Sequence, residues 1–313
     1  MRSGIFQHDG IFWRRFGAIG AIHLPWAVKI WLVPLVAWLY LLLVPAARRR
    51  IAANLEAVLG PCRRLESLRR AGRSMTEFAH VFAETFEVQS RATSGADSAE
   101  SIEIERTGLP DEALAGTGHG GLIVLTSHFG CWEIGARMLA RRGRPVNVVM
   151  ARETNPSVRA YLAKMRAGQG IHVLHSDTSR FASVMMLQAL RRGEILAIQM
   201  DRVAPGQVTR EIQLFGRAAL FPIGAFALAR AAGVPIWPVL SVRVGRRRYR
   251  FLQEPLIEIP RGASDEVLVA ALQQVVTRLE ARIRQFPYQW FQYAPIFADD
   301  GTGSDRARTS GTG

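Results

Sequence analysis

Three spacings of apolar residues succeed one another along the chain, and each predicts a different kind of element. From Ala18 to Ala47 the run AIGAIHLPWAVKIWLVPLVAWLYLLLVPAA is almost unbroken apolar. Lys29, Pro25, Pro34 and Pro45 interrupt it, and the clean stretch from Ile30 to Val44 falls short of the roughly 20 residues a full span needs. Trp26, Trp31, Trp38 and Tyr40 suit an interfacial depth. The segment therefore predicts a membrane anchor, either a single span or a re-entrant or interfacial helix, with a buried core hairpin as the competing reading. No small-residue cleavage site follows, so a removed signal peptide is not expected. Arg48, Arg49 and Arg50 come next and are expected to face the cytoplasm.

The second spacing is helical. RRIAANLEAVLG and RRLESLRRAGRSMTEFAHVFAETFE read as helices, and Met75, Phe78, Phe82 and Phe86 recur at three- and four-residue steps, as a core-packing stripe does. SRATSGADSAES (90–101) reads as a polar connection, and SIEIE as a short strand.

From Gly121 onward the third pattern takes over, short apolar runs alternating with helical segments. LIVLT, VNVVM, IHVL and EILAIQM predict buried strands. Asn155-Pro156 predicts a helix start, and Gly193 the end of the helix in DTSRFASVMMLQALRRG. TREIQLF, a Pro/Gly turn, the helix AFALARAAG and the strands PIWPVLSV and RRRYRFLQ follow, the last two as an antiparallel hairpin. A long helix spans Asp265 to about Gln285. This alternation predicts an α/β fold, a largely parallel twisted sheet flanked by helices behind an N-terminal hydrophobic anchoring segment. The expected division is an anchor over 1–50, an α/β domain over 51–298 and a disordered tail over 299–313.

Composition changes this picture in one respect. The 313 residues include 40 Lys+Arg against 26 Asp+Glu, a formal net charge of +14, and only Lys29 and Lys164 are lysines. Arginine excess fits contact with phosphates or an anionic membrane surface, and equally a compositional bias of the genome. Nucleic-acid binding is not expected, because the arginines are dispersed and no recognised motif or aromatic platform accompanies them. Cys62 and Cys131 stand in no metal-ligand spacing, and no cluster supplies three metal ligands.

The candidate chemistry lies where LIVLT ends. In open α/β sheets, ligands bind outside the carboxyl ends of the strands. His128 occupies that position, and Glu133 falls in the first turn of the next helix, where the macrodipole favours an ionised carboxylate. A loop folding back would let Glu133 orient the imidazole and leave its other nitrogen as a general base. No serine stands in a G-x-S-x-G elbow, so a histidine–carboxylate pair without its own nucleophile suits activation of a substrate hydroxyl. Without further context a lone histidine near a glutamate is more often a structural pair than a catalytic one.

SHFGCWEIG resembles the H-x4-D/E motif of the bacterial lysophospholipid acyltransferase superfamily, and more closely the branch of the lipid A biosynthesis lauroyl/myristoyl acyltransferases. The apolar anchor, RRRIAANLEAVLG, the stretch LAIQMDRVAPGQVTREIQLFGRAALFPIGAFALARAAGVPIWPV and the closing FPYQWFQYAP fall where that family has counterparts. The resemblance makes His128 the general base and Glu133 its orienting partner. It gives Arg152 a role in binding phosphate or the developing oxyanion, and matches Asp201 to the aspartate of a D-Q pair in substrate binding. Arg202 replaces the glutamine of that pair, and Cys131 stands where the family usually has asparagine. Gly216 belongs to the F-G-x-x-A element, while FPIGAF is closer to members that acylate glycolipids or polyene-type lipids. Outside the resemblance, Arg152 reads as a helix cap or a partner of Glu153, Asp201 as the start of a turn, Gly216 as a turn glycine and Cys131 as a small buried residue.

The resemblance implies a membrane-associated acyltransferase of the bacterial inner membrane, with its catalytic domain on the cytoplasmic side and no cofactor. The donor would be an acyl thioester, on acyl carrier protein rather than coenzyme A, and the acceptor a hydroxyl of a lipid or glycolipid. Arg152 and backbone N–H groups near Gly130 would stabilise the oxyanion. The rival readings are covalent catalysis by Cys131, as an acyltransferase or hydrolase, and an inactive membrane lipid-binding protein.

Overall fold

The computed structural model describes residues 19–20, 22–93, 102–107, 120–141, 143–151, 155–157, 159–160, 171–176, 181–204, 206–294 and 296–297. Three helices come first, α1 (Trp26–Leu43), α2 (Pro45–Leu59) and α3 (Arg64–Thr93). Next are β1 (Glu103–Thr107), β2 (Leu122–Thr126), α4 (Trp132–Ala140), β3 (Val146–Met150) and β4 (Ile171–His175). α5 (Ala182–Arg191) and β5 (Ile195–Gln199) lead to β6 (Thr209–Leu214) and β7 (Arg217–Pro222). α6 (Gly224–Ala232), β8 (Ile236–Gly245), β9 (Arg248–Gln253) and α7 (Asp265–Gln285) complete the order.

Seven strands form one sheet in the order β1-β9-β8-β2-β5-β3-β4. The run β8-β2-β5-β3-β4 is parallel throughout. β9 is antiparallel to β8 and parallel to β1, so the largely parallel sheet with a terminal hairpin is as expected. The central strands read as continuous apolar runs because both faces are covered. Ile123, Leu125 and Leu196 pack into a large core with α5, α6 and α7. Leu122, Val124, Val146, Val148 and Ile195 pack on the opposite face with Ala136 of α4.

Strand order fixes where a ligand can enter. From β2 the chain passes to β3 on one side, and from β5 it passes, by way of the β6–β7 hairpin, to β8 on the other. The two connections leave adjacent strands in opposite directions, which opens a crevice at the carboxyl ends of β2 and β5.

α1 is one N-terminal helix of 18 residues, long and apolar enough to cross a membrane, with only 17% of it buried. It continues through Pro34 rather than breaking there. One side docks on α3: Ala37 and Leu41 join Ala71 and Met75 in a cluster. Gly72 admits the Trp38 ring so closely that a Cβ there would lie 2.2 Å from it. The buried Lys29 ammonium sits 3.5 Å from Glu87. The other side exposes Trp31, Leu35, Leu39, Leu42 and Leu43.

Two elements differ from the sequence reading. α3 runs on to Thr93, into the stretch read as a polar connection. RAALFP, read as part of a turn region, is β7, paired antiparallel with β6 across Phe215 and Gly216. Both turn residues have positive φ, 52° and 73°, the mirror-image turn that matches strand twist in a two-residue hairpin. The phenylalanine in that position hides the signal, since Asn or Asp is its usual occupant.

The helix start at Asn155 is present: its side-chain oxygen accepts the Ser157 N–H at 3.0 Å. The tail over 299–313 lies outside the described residues.

Candidate active site

The loop from β2 into α4 is held by backbone contacts on both sides. The Gly130 N–H donates to the Gln289 carbonyl at 2.9 Å, and the Cys131 N–H to the Ser241 carbonyl at 3.1 Å. Gly130 has φ 53°, and a Cβ there would lie 1.7 Å from the Ser241 oxygen. Only glycine permits this approach. The loop thereby turns His128 toward the crevice, with its side chain 21% exposed.

Asp201, directly after β5, meets it there. Its carboxylate accepts the His128 backbone N–H at 3.0 Å to each oxygen. Oδ1 also lies 2.8 Å from His128 Nδ1. The Trp290 indole N–H donates to Oδ2 at 3.2 Å. Asp201 is 1% exposed. Burial pushes its carboxyl up, but the His128 charge and hydrogen bonds and the nearby Arg202 outweigh burial and hold it below its ordinary value. An ionised carboxylate only accepts, so Nδ1 carries the proton and Nε2 is the basic nitrogen. Chemically, such a pair can serve as a base with an orienting carboxylate.

A strap completes the arrangement. After the short 3-10 turn Pro287–Gln289, residues 290–294 and 296–297 lie along the carboxyl edge of the sheet. The Phe291 N–H donates to the His128 carbonyl at 2.7 Å. The Gln292 amide donates to the Asp201 carbonyl. Arg202 donates to the Phe291 carbonyl at 2.9 Å and to Gln292 Oε1 at 3.1 Å. Gln289 exchanges hydrogen bonds with the Arg243 backbone on β8. Trp290, Gln289 and Gln292 therefore hold Asp201 and the adjoining strand and loop in place, a role that neither periodicity nor motif assigns to them. Buried glutamines flanking a tryptophan were the available signal, since such amides persist in a core only when satisfied.

The remaining expected site residues are placed as follows. Glu133 lies in the first turn of α4, half-buried, one turn before Arg137. Glu133 is the carboxylate expected to orient the imidazole; His128 Nδ1 is bonded by Asp201, a residue expected to bind substrate. Of the backbone N–H groups near Gly130 expected to serve the oxyanion, that of Gly130 itself donates to the Gln289 carbonyl. Gly216 is a turn residue of the β6–β7 hairpin, and its neighbour Phe215 reaches toward the site by packing on Trp290, ring centroids 6.0 Å apart. Arg152 lies outside the described residues; β3 ends two residues before it, at Met150, with β5 between β3 and β2.

Cys131 is 2% exposed, with Sγ 3.2 Å from the Thr85 hydroxyl. Burial pushes the thiol up to about 12. A neutral thiol packed beneath α3 is a poor nucleophile, which disfavours covalent catalysis.

A partly exposed histidine is thus held by a buried carboxylate at the switch point of a parallel sheet, with an apolar helix docked alongside. The chain belongs to the bacterial lipid A biosynthesis acyltransferase family, whose model matches residues 11–297. No curated protein matches it.

Proposed function

We propose that the protein moves a fatty acyl chain from an acyl thioester, carried on acyl carrier protein, to a hydroxyl of a lipid or glycolipid at the cytoplasmic face of the inner membrane. The observation that carries this reading is the His128–Asp201 pair in a chain of this family. His128 Nε2 takes the acceptor's hydroxyl proton as the oxygen attacks the thioester carbonyl. Asp201 holds the ring and stabilises the imidazolium that forms. The tetrahedral intermediate collapses, the C–S bond breaks, and the thiolate leaves with the proton that the imidazolium returns. No acyl-enzyme forms. Arg152, by family resemblance and its place after β3, stabilises the oxyanion. Glu133, half-exposed at a helix N-terminus five residues beyond the base, fixes the acceptor. The net charge of +14 suits an acidic carrier protein and anionic headgroups.

The test is acyl transfer in lipid vesicles from acyl carrier protein to a glycolipid acceptor, read by lipid mass spectrometry. His128→Ala is expected to lower turnover by roughly two to four orders of magnitude while membrane association persists. Near-normal turnover in that variant would sink the reading.

A further inference from the structure

Large apolar side chains stand exposed on a second surface, separate from α1. Phe181 is 70% exposed, Val184 47% and Met185 52%, all at the N-terminal end of α5. Val203 is 39% and Val208 62% exposed, in the segment after Asp201. Topology brings these two groups together. α5 follows β4 and runs back along a parallel strand, so its first turn lies at the carboxyl edge of the sheet. α6 also begins at that edge, and the Ile223 N–H at its start donates to the Val208 carbonyl at 3.1 Å. α5 and α6 pack side by side on one face of the sheet.

The rim is therefore on the same edge as His128, toward β5 and β4. α3 and α1 occupy the β8–β9 end of that edge. The Arg243 side chain of β8 and the Tyr249 hydroxyl of β9 bond to Glu84 of α3, and Arg246, in the β8–β9 turn, covers the Trp26 ring of α1 at 4.6 Å. Strand order puts the His128 crevice between two apolar surfaces, α1 on one side and the rim on the other.

We propose that the rim is a second bilayer contact, which seats the crevice against the membrane together with α1. A lipid surface is the occupant the observations favour over a protein. The α1 face already exposes residues suited to hydrocarbon over a helix long enough to span it, and the rim continues that apolar character across the crevice. The strongly positive chain complements anionic headgroups around such a patch. The proposal is independent of the acyl-transfer chemistry.

The experiment uses the full chain with Cys62→Ser, leaving only the buried Cys131, and one added cysteine carrying an environment-sensitive fluorophore. The labelled sites are Met185→Cys and Val208→Cys on the rim and Leu39→Cys on α1. Val267→Cys serves as the control, because α7 begins at the opposite edge, where Asp265 meets Arg230 near the end of α6. Vesicles contain phosphatidylethanolamine and phosphatidylglycerol, with and without brominated acyl chains. The rim labels are expected to shift to the blue on vesicle binding and to lose emission to bromine as the Leu39 label does, while the Val267 label does neither. Rim labels that behave like Val267 while Leu39 is quenched would overturn the proposal. So would a blue shift that depends on protein concentration and not on brominated lipid, which would assign the rim to a second copy.

Discussion

At the residue scale, the buried Asp201 carboxylate is held ionised by the donors around it. Its folded-state pKa is depressed, so the stability it contributes is fully present above the ordinary carboxylate range. That stability is lost as pH falls through the depressed folded value. Trp290→Phe keeps an aromatic ring in the strap and removes one donor to Asp201. The depression is then smaller, and acid unfolding, followed by circular dichroism, is expected to begin at higher pH than in the parent. An unchanged acid limb would mean that the indole bond does not hold the carboxylate. Cys131 supplies a second test at this scale. Cys131→Ala is expected to keep most of the transfer activity, and intact-protein mass after incubation with donor alone is expected to show no acyl adduct. An adduct that vanishes in the variant would restore covalent catalysis.

At the scale of elements, α1 is both an exposed apolar helix and a packed one. Gly72 is the contact that permits this, and Gly72→Val would drive a side chain into the Trp38 ring. Overpacking of this kind costs about 1–3 kcal/mol. The expected outcome is a lower unfolding midpoint and faster proteolysis between α1 and α2. Unchanged values would show that α1 does not dock on α3 in the membrane-bound protein. Most elements were legible in the sequence because their periodicity follows from burial. β2 and β5 are covered on both faces and so are unbroken apolar runs, while α7 is bounded by a Ser264 start and the Phe286–Pro287 stop. β7 was not legible, because its turn uses Phe215 at positive φ, a position where phenylalanine is uncommon.

For the whole molecule, the half of the site that was legible is the half that is local. His128 could be recognised from the strand end it follows and from the motif it opens. Its partner could not, because Asp201 lies 73 residues away and reaches it only because β5 inserts beside β2. Glu133 is the carboxylate that proximity in sequence offers, whereas sheet order brings Asp201 to His128 Nδ1. The strap was illegible for the same reason, since residues 289–292 bond to the loops after β2 and β5 and to β8 itself. Membrane attachment also belongs to this scale. An apolar helix is insensitive to ionic screening, so high salt alone is not expected to extract the full-length protein. Complete extraction by salt would mean that α1 is covered by protein.

The central claim is that Asp201 holds His128 as the base. It is tested most directly by the acyl-transfer rate of Asp201→Asn in the vesicle assay, beside His128→Ala and with folding checked by thermal unfolding. An amide can neither stabilise the imidazolium nor enforce the same tautomer, and a loss of roughly 10³–10⁴-fold in a folded, membrane-bound protein is predicted. A folded Asp201→Asn protein that transfers acyl chains at close to the parent rate would contradict the account.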